Sequence, residues 1–291
     1  MTPPAEPGRG LSGAVSMIQE LFHIGSFAIS PFGVLLVIAF VGSYLQLRAG
    51  LIRQGVGDDE DASSIVFAAG LGGILGAKIY YAALYHDWSL LFDRSGLVWY
   101  GGFLLATVLV VWVVRRRRLP VAPTLDAALP ALALGYGLGR IGCFLVGDDY
   151  GRPTDGPFGI VFPHGLPETT AGNLREIFGY SIPDSIPSDQ LIAVHPTQLY
   201  ETAIALVIWR IGVALWKRGL RPGTTALVVM SLLALERFGV EFLRAKDDRF
   251  LHGFTVAQLI SVLVLLLLGF LWWRRRQEPL RRPAPVAGVH S

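Results

Sequence analysis

Seven long apolar segments constrain the fold of this chain more than any other feature of its sequence. They lie at about 29–47, 63–85, 97–114, 124–144, 197–216, 223–243 and 254–273. A helix needs about 20 mostly apolar residues to cross the hydrocarbon core of a bilayer. Only 16% of the residues are charged, whereas soluble domains average about 25%. The pattern predicts an all-α, polytopic integral membrane protein with about seven transmembrane helices.

Basic residues are unevenly distributed between the ends of these segments. Each odd-numbered segment is followed by a basic group, and the members are Arg48, Arg53, Arg115–Arg118, Lys217, Arg218, Arg221, Arg274–Arg276, Arg281 and Arg282. Positive charge prefers the cytoplasmic side of a membrane. Seven spans with basic odd-numbered exits therefore predict an N-terminus outside and a C-terminus in the cytoplasm. We interpret the basic groups as topology determinants and expect no nucleic-acid partner.

The predicted topology divides the chain into three parts. Residues 1–28 form an N-terminal outer segment, and residues 29–274 form the seven-helix membrane domain. This domain includes a long, proline-rich outer loop at 145–196, which we expect to be ordered only in part. Residues 275–291 are predicted to be a disordered cytoplasmic tail. The single cysteine, Cys143, excludes an intramolecular disulfide and a cysteine-based metal site, and we expect no metal.

Two arginines lie where a charge is costly. Arg140 is near the end of the fourth apolar segment, just before a glycine-rich turn, and Arg237 lies within the sixth. Placing one such charge at the centre of a membrane helix costs roughly 2.5–3.5 kcal/mol, so each arginine needs a partner or a function. One reading is that internal ion pairs fasten the helices together, Arg237 with Glu241 and Arg140 with Asp148.

The other reading is an anion-binding site. By the predicted topology, the outer ends of segments four, five and six reach the same leaflet, so their polar residues can converge. A second arginine, Arg152, follows the glycine-rich turn, and fastening of helices does not require it. Planar guanidinium groups bind phosphate bidentately and keep their charge. An anionic phospholipid headgroup is the phosphate expected at that depth.

Three sequence motifs occur in the order, and roughly at the spacing, of one known family. The first runs from Gly139-Arg140-Ile141-Gly142-Cys143-Phe144 to Gly151-Arg152, the second is His195-Pro196-Thr197-Gln198-Leu199-Tyr200-Glu201, and the third is Arg237-Phe238-Gly239-Val240-Glu241-Phe242. They resemble the signature of the prolipoprotein diacylglyceryl transferase family. Gly72–Tyr80 and Asp126–Pro130 are also similar to family segments, and the resemblance covers about residues 24–274.

The resemblance implies an activity, a location and two substrates. An enzyme of this family transfers the diacylglyceryl group of phosphatidylglycerol to the lipobox cysteine of a prolipoprotein signal peptide. Glycerol phosphate is released, and the reaction is the first step of bacterial lipoprotein maturation. The resemblance further implies a multi-pass protein of the bacterial inner membrane that needs no cofactor.

The resemblance also assigns site residues. It implies that Arg140 and Arg237 are the phosphate-side cations, that Asp148 takes the place of an essential glutamate, and that Glu241 orients Arg237. Two further catalytic candidates and six further substrate-binding candidates complete the expected site: Tyr100 and His195, and Gly142, Gly151, Arg152, Gly101, Gly102 and Lys78, the last where the family usually has arginine.

One departure from the family pattern concerns proton transfer. Tyr100 stands directly before Gly101 and Gly102, where the family has a histidine proposed as the base for the substrate thiol. Tyrosine is a poor base at neutral pH, because its reference pKa is about 10. Tyr100 could position the substrate while another group, such as His195, takes the proton, or it could donate a hydrogen bond to the lipid. The third account is a divergent, non-catalytic paralogue that binds lipid.

Other departures and other readings stay open. Cys143 stands where the family usually has asparagine, and Phe32 stands where it has tyrosine. As alternatives to a role in the site, Cys143 is a small packing residue and His195 caps the start of the fifth segment. An anion or lipid transporter is the rival function, although the sequence has no evident internal repeat. A purely structural subunit would leave Arg140 and Arg152 unexplained.

Overall fold

The computed structural model describes residues 20–25, 27–92, 98–245, 249–251 and 253–277 of the 291-residue chain. The helices in these ranges are α1 Pro31–Gln54, α2 Asp59–Leu84, α3 Trp99–Arg116, α4 Val121–Val146, α5 Ala171–Glu176, α6 Thr197–Lys217, α7 Thr224–Val240 and α8 Val256–Gln277. A 3-10 helix spans Trp88–Leu91. Two antiparallel hairpins pair β1 Phe22–Ile24 with β2 Phe27–Ile29, and β3 Arg249–Leu251 with β4 Phe254–Thr255.

Long apolar helices make this a polytopic membrane protein, as the sequence predicts. Among the described residues, α1, α2, α3, α4, α6 and α8 are long and apolar enough to cross a membrane. The helix α7 has 17 residues and is shorter. Each of the seven predicted segments overlaps one of these seven helices. The predicted outer segment 1–28 is described only from residue 20, and of the predicted tail 275–291, residues 278–291 lie outside the described ranges.

The ends of α1 and α2 follow from capping residues. Ser30 precedes α1, and its hydroxyl accepts a hydrogen bond from the Gly33 N–H at 3.1 Å. Gly55 ends α1 in the left-handed conformation (φ 63°), which glycine adopts without a steric cost. Asp58 and Asp61 then form a reciprocal capping box at the start of α2. The turn between the two helices is therefore specified by residues 55–61.

The long helices alternate in direction, so the two ends of the bundle differ. Gly142 near the end of α4 packs on Phe32 at the start of α1. At the opposite end, Arg117 after α3 pairs with Asp61 of α2 at 3.0 Å. The end with Phe32 and Gly142 is named the site end below. The opposite end contains the Arg115–Arg118 run and is named the basic end.

Small residues allow α2 and α3 to approach closely. A Cβ atom on Gly102 would lie 2.7 Å from the Gly73 carbonyl oxygen, and a Cβ atom on Gly101 or Gly76 would overlap the backbone of the other. Glycine pairs of this kind are typical of tight packing between membrane helices. The geometry therefore gives Gly101 and Gly102, two predicted substrate-binding residues, a packing role.

The start of α7 is capped by another helix. Gly223 precedes α7 with φ 84° and no side chain of its own segment caps the helix. Instead, the buried Asp126 carboxylate of α4 accepts hydrogen bonds from the N–H groups of Gly223 at 2.5 Å and Ala226 at 2.7 Å. A carboxylate at a helix N-terminus also interacts favourably with the helix dipole. Asp126 thereby fixes the position of α7 along α4.

The loop between α4 and α6 contains short elements and its own apolar core. It is described throughout, and it contains α5 and several isolated β-bridges, including Pro153 with Val194. A separate apolar core holds it together, formed by Tyr150, Phe162, Leu174, Val194 and Ala245. The sequence did not reveal this core, because its aromatic and aliphatic side chains give no periodic signal.

Candidate functional site

Three arginines and three carboxylates form a cluster at the site end, which we name the arginine cluster. Its members are Arg140 of α4, Asp149 after α4, Glu201 of α6, Arg237 of α7, and Glu241 and Arg244 after α7. Three separate helices therefore contribute to one group of charges. Their convergence agrees with the prediction that the outer ends of segments four, five and six meet.

Glu201 is the centre of the arginine cluster. Its fully buried carboxylate accepts a hydrogen bond from Arg140 Nη2 at 3.1 Å through Oε1. Its Oε2 forms an ion pair with Arg140 Nε at 2.5 Å, without hydrogen-bond geometry. Arg244 Nη1 lies 3.3 Å from Oε1, and Arg237 Nη1 lies 3.6 Å from the same oxygen. Burying a charge is expensive unless partners compensate it. The Glu201 carboxylate therefore neutralises part of the positive charge of three guanidinium groups.

Asp149 is the second shared carboxylate. Arg140 Nη1 lies 2.8 Å from its Oδ2, and Arg244 Nη2 pairs with its Oδ1. A tight turn places this side chain, since Gly147 has φ 69° and Asp149 itself has φ 61°. Aspartate tolerates the left-handed conformation better than most residues. The Thr197 hydroxyl donates to the Asp149 carbonyl at 3.1 Å and ties the turn to α6.

Arg237 and Glu241 form the ion pair that their spacing predicts, with 2.7 Å between Nη2 and Oε2. Glu241 is buried and also lies 3.9 Å from Arg244 Nε. The exposed fraction of the side chain is 27% for Arg237, 11% for Arg140 and 3% for Arg244. Arg237 is thus the arginine of the cluster that a ligand can reach most easily.

Charge within the arginine cluster is balanced, with three guanidinium groups and three carboxylates. The positive charge is therefore already compensated within the protein. An anion that binds here must replace a carboxylate contact. Because Arg237 lies at the longest distance from Glu201, that contact is the one most easily exchanged.

Asp148 lies outside the ion-pair network. The expected pair with Arg140 does not form, because the left-handed turn directs Asp149 to Arg140 instead. Within the described residues, Asp148 makes no ion pair, and its backbone carbonyl accepts a hydrogen bond from Gln198 Nε2 at 2.7 Å. Burial raises the pKa of the Asp148 carboxyl, and the neighbouring charge of Asp149 raises it further.

We predict opposite effects for substitution of the two aspartates. Asp149→Asn is expected to lower the free energy of unfolding by about 1–3 kcal/mol, because the buried Arg140 and Arg244 guanidinium groups lose a carboxylate that they share. Asp148→Asn is expected to be neutral or slightly stabilising at pH 7, since its surroundings disfavour the ionised carboxyl. Thermal unfolding of the detergent-solubilised protein measures the stability of both variants relative to the wild type.

The pH dependence provides the control for this pair of variants. An aspartate whose pKa is raised by folding contributes stability at low pH, which is lost as pH rises through the raised pKa. The advantage of Asp148→Asn should therefore vanish as the pH falls and the wild-type carboxyl is protonated. A larger destabilisation by Asp148→Asn than by Asp149→Asn would contradict this account.

Tyr100 and Lys78 lie on the α2–α3 pair rather than in the arginine cluster. The half-exposed Tyr100 ring contacts Trp99 edge-on, with 5.4 Å between the ring centroids. Within the described residues, the Tyr100 hydroxyl has no hydrogen bond to the cluster. Lys78 is half-buried on α2, next to Ala77, which faces Gly102 of α3.

His195, Gly151 and Arg152 meet at a backbone crossing beside the cluster. The Gly151 N–H donates to the His195 carbonyl at 2.8 Å, and the His195 N–H donates to the Arg152 carbonyl at 2.9 Å. A Cβ atom on Gly151 would lie 2.6 Å from the Leu243 carbonyl oxygen, so only glycine fits there. Nδ1 of the His195 ring lies 3.3 Å from the Tyr200 hydroxyl oxygen.

Three members of the cluster were missing from the predicted site. Glu201 ends the second motif, Asp149 follows Asp148, and Arg244 comes three residues after Glu241. Motif membership could have identified Glu201. The sequence contains no signal that selects Asp149 over Asp148 or gives Arg244 two carboxylate partners from other segments.

Comparison with known proteins agrees with the motifs. The family model described as prolipoprotein diacylglyceryl transferase matches residues 19–274. Three relatives bear the name phosphatidylglycerol–prolipoprotein diacylglyceryl transferase. A protein of Stenotrophomonas maltophilia is 31% identical over 91% of this chain and 94% of its own length. Proteins of Xylella fastidiosa and Geobacter sulfurreducens are each 29% identical, over 92% and 89% of this chain and 96% of their own lengths.

The match covers six of the long helices completely, α8 up to residue 274, and every member of the arginine cluster, so it concerns the whole membrane domain. On this evidence the chain belongs to the prolipoprotein diacylglyceryl transferase family.

Proposed function

We propose that this protein transfers the diacylglyceryl group of phosphatidylglycerol to the lipobox cysteine of a prolipoprotein and releases glycerol phosphate. The observation that carries the proposal is the arginine cluster in a member of this family. Its three guanidinium groups lie at the end of a membrane helix bundle, where a phospholipid phosphate can approach. The names of the relatives support the same reaction.

The proposed reaction is a displacement at a glyceryl carbon. The cysteine sulfur attacks the carbon of the diacylglyceryl group that bears the phosphate ester. A carbon–sulfur bond forms, the carbon–oxygen bond breaks, and the phosphate oxygen keeps the electron pair. The thiol proton passes to a base and finally to the released glycerol phosphate or to solvent. Preorganised cations that face the departing phosphate lower such a barrier by several kcal/mol.

Arg140 and Arg237 are proposed to bind the phosphate. Arg237 is the more exposed of the two and makes the longer contact with Glu201, so it can turn towards a lipid headgroup. Arg140 is held by Glu201 and Asp149, which fix the plane of its guanidinium group before the substrate arrives. Rigid placement of reacting groups is a major source of rate acceleration.

His195 is proposed to accept the thiol proton, and Tyr100 to position the substrate. The backbone of His195 is hydrogen-bonded to Gly151 and Arg152, directly beside the turn that bears Asp149. Tyr100 lies on α3, and no hydrogen bond among the described residues joins its side chain to this turn.

We further propose seven spans, with the N-terminus outside, the C-terminus in the cytoplasm and the site end facing outward from the bacterial inner membrane. In support, α7 packs against α4, α6 and α8 and would cross the membrane with the help of the turn that follows it. The basic end would then face the cytoplasm, as the positive charge favours. The signal peptide of the prolipoprotein would approach the site end from within the bilayer.

Reconstitution tests the proposed function. The purified protein, in vesicles that contain phosphatidylglycerol, is incubated with a lipobox peptide, and mass spectrometry follows the peptide. The expected result is a mass gain equal to one diacylglyceryl group, with release of glycerol phosphate. If a relative such as the Geobacter sulfurreducens protein forms product in parallel and this protein does not, the transferase proposal fails. Retention of phosphatidylglycerol without product would then indicate a lipid-binding paralogue.

A further inference from the structure

A buried polar pair, Tyr136 and Glu236, adjoins the arginine cluster without belonging to it. Tyr136 is on α4, one turn before Arg140, and Glu236 is on α7, directly before Arg237. The Tyr136 hydroxyl donates a hydrogen bond to Glu236 Oε1 at 3.3 Å. Glu236 is only 7% exposed. The pair thus joins the two helices that bear the proposed phosphate-binding arginines.

The ring of Tyr136 also contacts Arg140. The guanidinium carbon lies 5.5 Å from the ring centroid, within the range of a cation–π interaction. The ring is therefore fixed at two points, by Glu236 at its hydroxyl and by the guanidinium group at its face. The position of Arg140 relative to α7 depends on both contacts.

Burying the polar groups of Tyr136 and Glu236 costs free energy, and a residue pair with only a packing role would avoid that cost. Within the described residues, Glu236 forms no ion pair, and it adds a further carboxyl group beside a cluster whose charges are already balanced. Two apolar side chains of similar size would hold α4 against α7 without burying polar groups. A role in the neighbouring site explains why a carboxyl group, rather than an apolar side chain, occupies this position.

We propose that Tyr136 and Glu236 are positioning residues that hold the Arg140 guanidinium group at its working distance from Arg237. The inference rests on the proposed function, since it deepens the role of the two arginines. Tyr136 and Glu236 act through Arg140 and touch neither substrate. Their hydrogen bond sets the spacing of α4 and α7 at the level where the phosphate would bind.

Steady-state transfer by the full-length protein in vesicles provides the first test. Tyr136→Phe keeps the ring but removes the hydroxyl, and kcat is expected to fall about tenfold to a hundredfold. The KM for phosphatidylglycerol should change by less than about threefold, because Arg237 remains in place. Glu236→Leu should behave like Tyr136→Phe, whereas Glu236→Gln keeps an acceptor oxygen and should restore most of kcat.

Tyr44→Phe is the matched control. The Tyr44 hydroxyl donates to Asp59 Oδ1 at 2.7 Å, so this variant also removes a bond from a tyrosine hydroxyl to a carboxylate, but away from the arginine cluster. Its kcat should equal that of the wild type. If Tyr136→Phe lowers only the amount of folded protein, and kcat per folded molecule stays within about twofold of the wild type, the positioning role is refuted.

Cys143 provides a second readout that does not depend on catalysis. It is the single cysteine of the chain, and its sulfur lies 3.7 Å from Arg140 Nη1. The labelling rate by a maleimide therefore reports on the position of Arg140. Arg140→Ala sets the direction of the change, and Tyr136→Phe and Glu236→Leu should shift the rate in the same direction, whereas Glu236→Gln and Tyr44→Phe should not.

The two readouts separate the inference from the proposed function. Absence of transfer by the wild type, together with the expected labelling rates, would refute the function and keep the placement of Arg140 by the pair. Unchanged labelling in both Tyr136→Phe and Glu236→Leu would refute the placement, whatever the wild type does.

Discussion

Glu201→Gln is expected to reduce diacylglyceryl transfer by roughly a hundredfold to a thousandfold, the size of effect that loss of one preorganised electrostatic contact has on kcat. The variant keeps the size of the side chain and removes the charge that Arg140, Arg237 and Arg244 share. The guanidinium groups would then repel one another, and their common orientation would be lost. Transfer to a lipobox peptide per folded molecule is the measurement.

Controls distinguish this effect from a general loss of charge or folding. Glu60→Gln removes an exposed carboxylate that pairs with Arg117 at the basic end, and exposed pairs contribute only about 0–1 kcal/mol. Its transfer rate should equal that of the wild type. Glu201→Asp keeps the charge, so partial activity is expected from it. Glu201→Gln that folds and retains more than about a tenth of wild-type transfer would show that the shared carboxylate is dispensable.

Arg140→Lys should be the second most damaging substitution, although it conserves the charge. Arg140 contacts Glu201 through Nε and Nη2 and Asp149 through Nη1, a fork that an ammonium group cannot reproduce. We expect kcat to fall by about a hundredfold or more, because the lysine cation would no longer be held in a fixed orientation towards the departing phosphate of the proposed reaction. Kinetics in vesicles with varied phosphatidylglycerol measure kcat and KM separately.

Arg237→Lys gives the informative contrast. Arg237 is more exposed and makes a single short pair, with Glu241, so lysine replaces it more easily. A smaller loss, expressed mainly as a higher KM for phosphatidylglycerol, is expected. Arg117→Lys at the basic end should change neither constant. If Arg140→Lys is no worse than Arg237→Lys, the proposed division between a fixed and a movable arginine is wrong.

The helices could be predicted because a bilayer allows few solutions. A run of about 20 apolar residues has to cross as a helix, since unpaired backbone groups are not tolerated in hydrocarbon. The capping residues Ser30 and Asp58 place the helix starts at Pro31 and Asp59, whereas the predicted apolar segments begin at about 29 and 63. The loop between α4 and α6 escaped prediction because its core draws on residues as distant as Tyr150 and Ala245.

The site residues that could be predicted are those whose charge is energetically unfavourable within an apolar segment. Arg140 and Arg237 stand out against apolar neighbours, and Glu241 lies one turn from Arg237, where helix geometry brings them together. Which residues of other segments become ion-pair partners depends on tertiary packing and on single backbone angles. The left-handed turn at Asp149 decides which of two adjacent aspartates meets Arg140, and residue types alone do not reveal that angle.

Balanced charge in the arginine cluster has a consequence for selectivity. The buried carboxylates already occupy the place of an anion, so a dissolved phosphate or sulfate ion would have to displace one of them with no other gain. A phospholipid arrives with acyl chains that remain in the bilayer and hold its headgroup at the cluster, so its effective concentration is high. A site with uncompensated arginines would fill with soluble anions, whereas the balanced cluster, under the proposed function, would favour an anion that the membrane itself delivers.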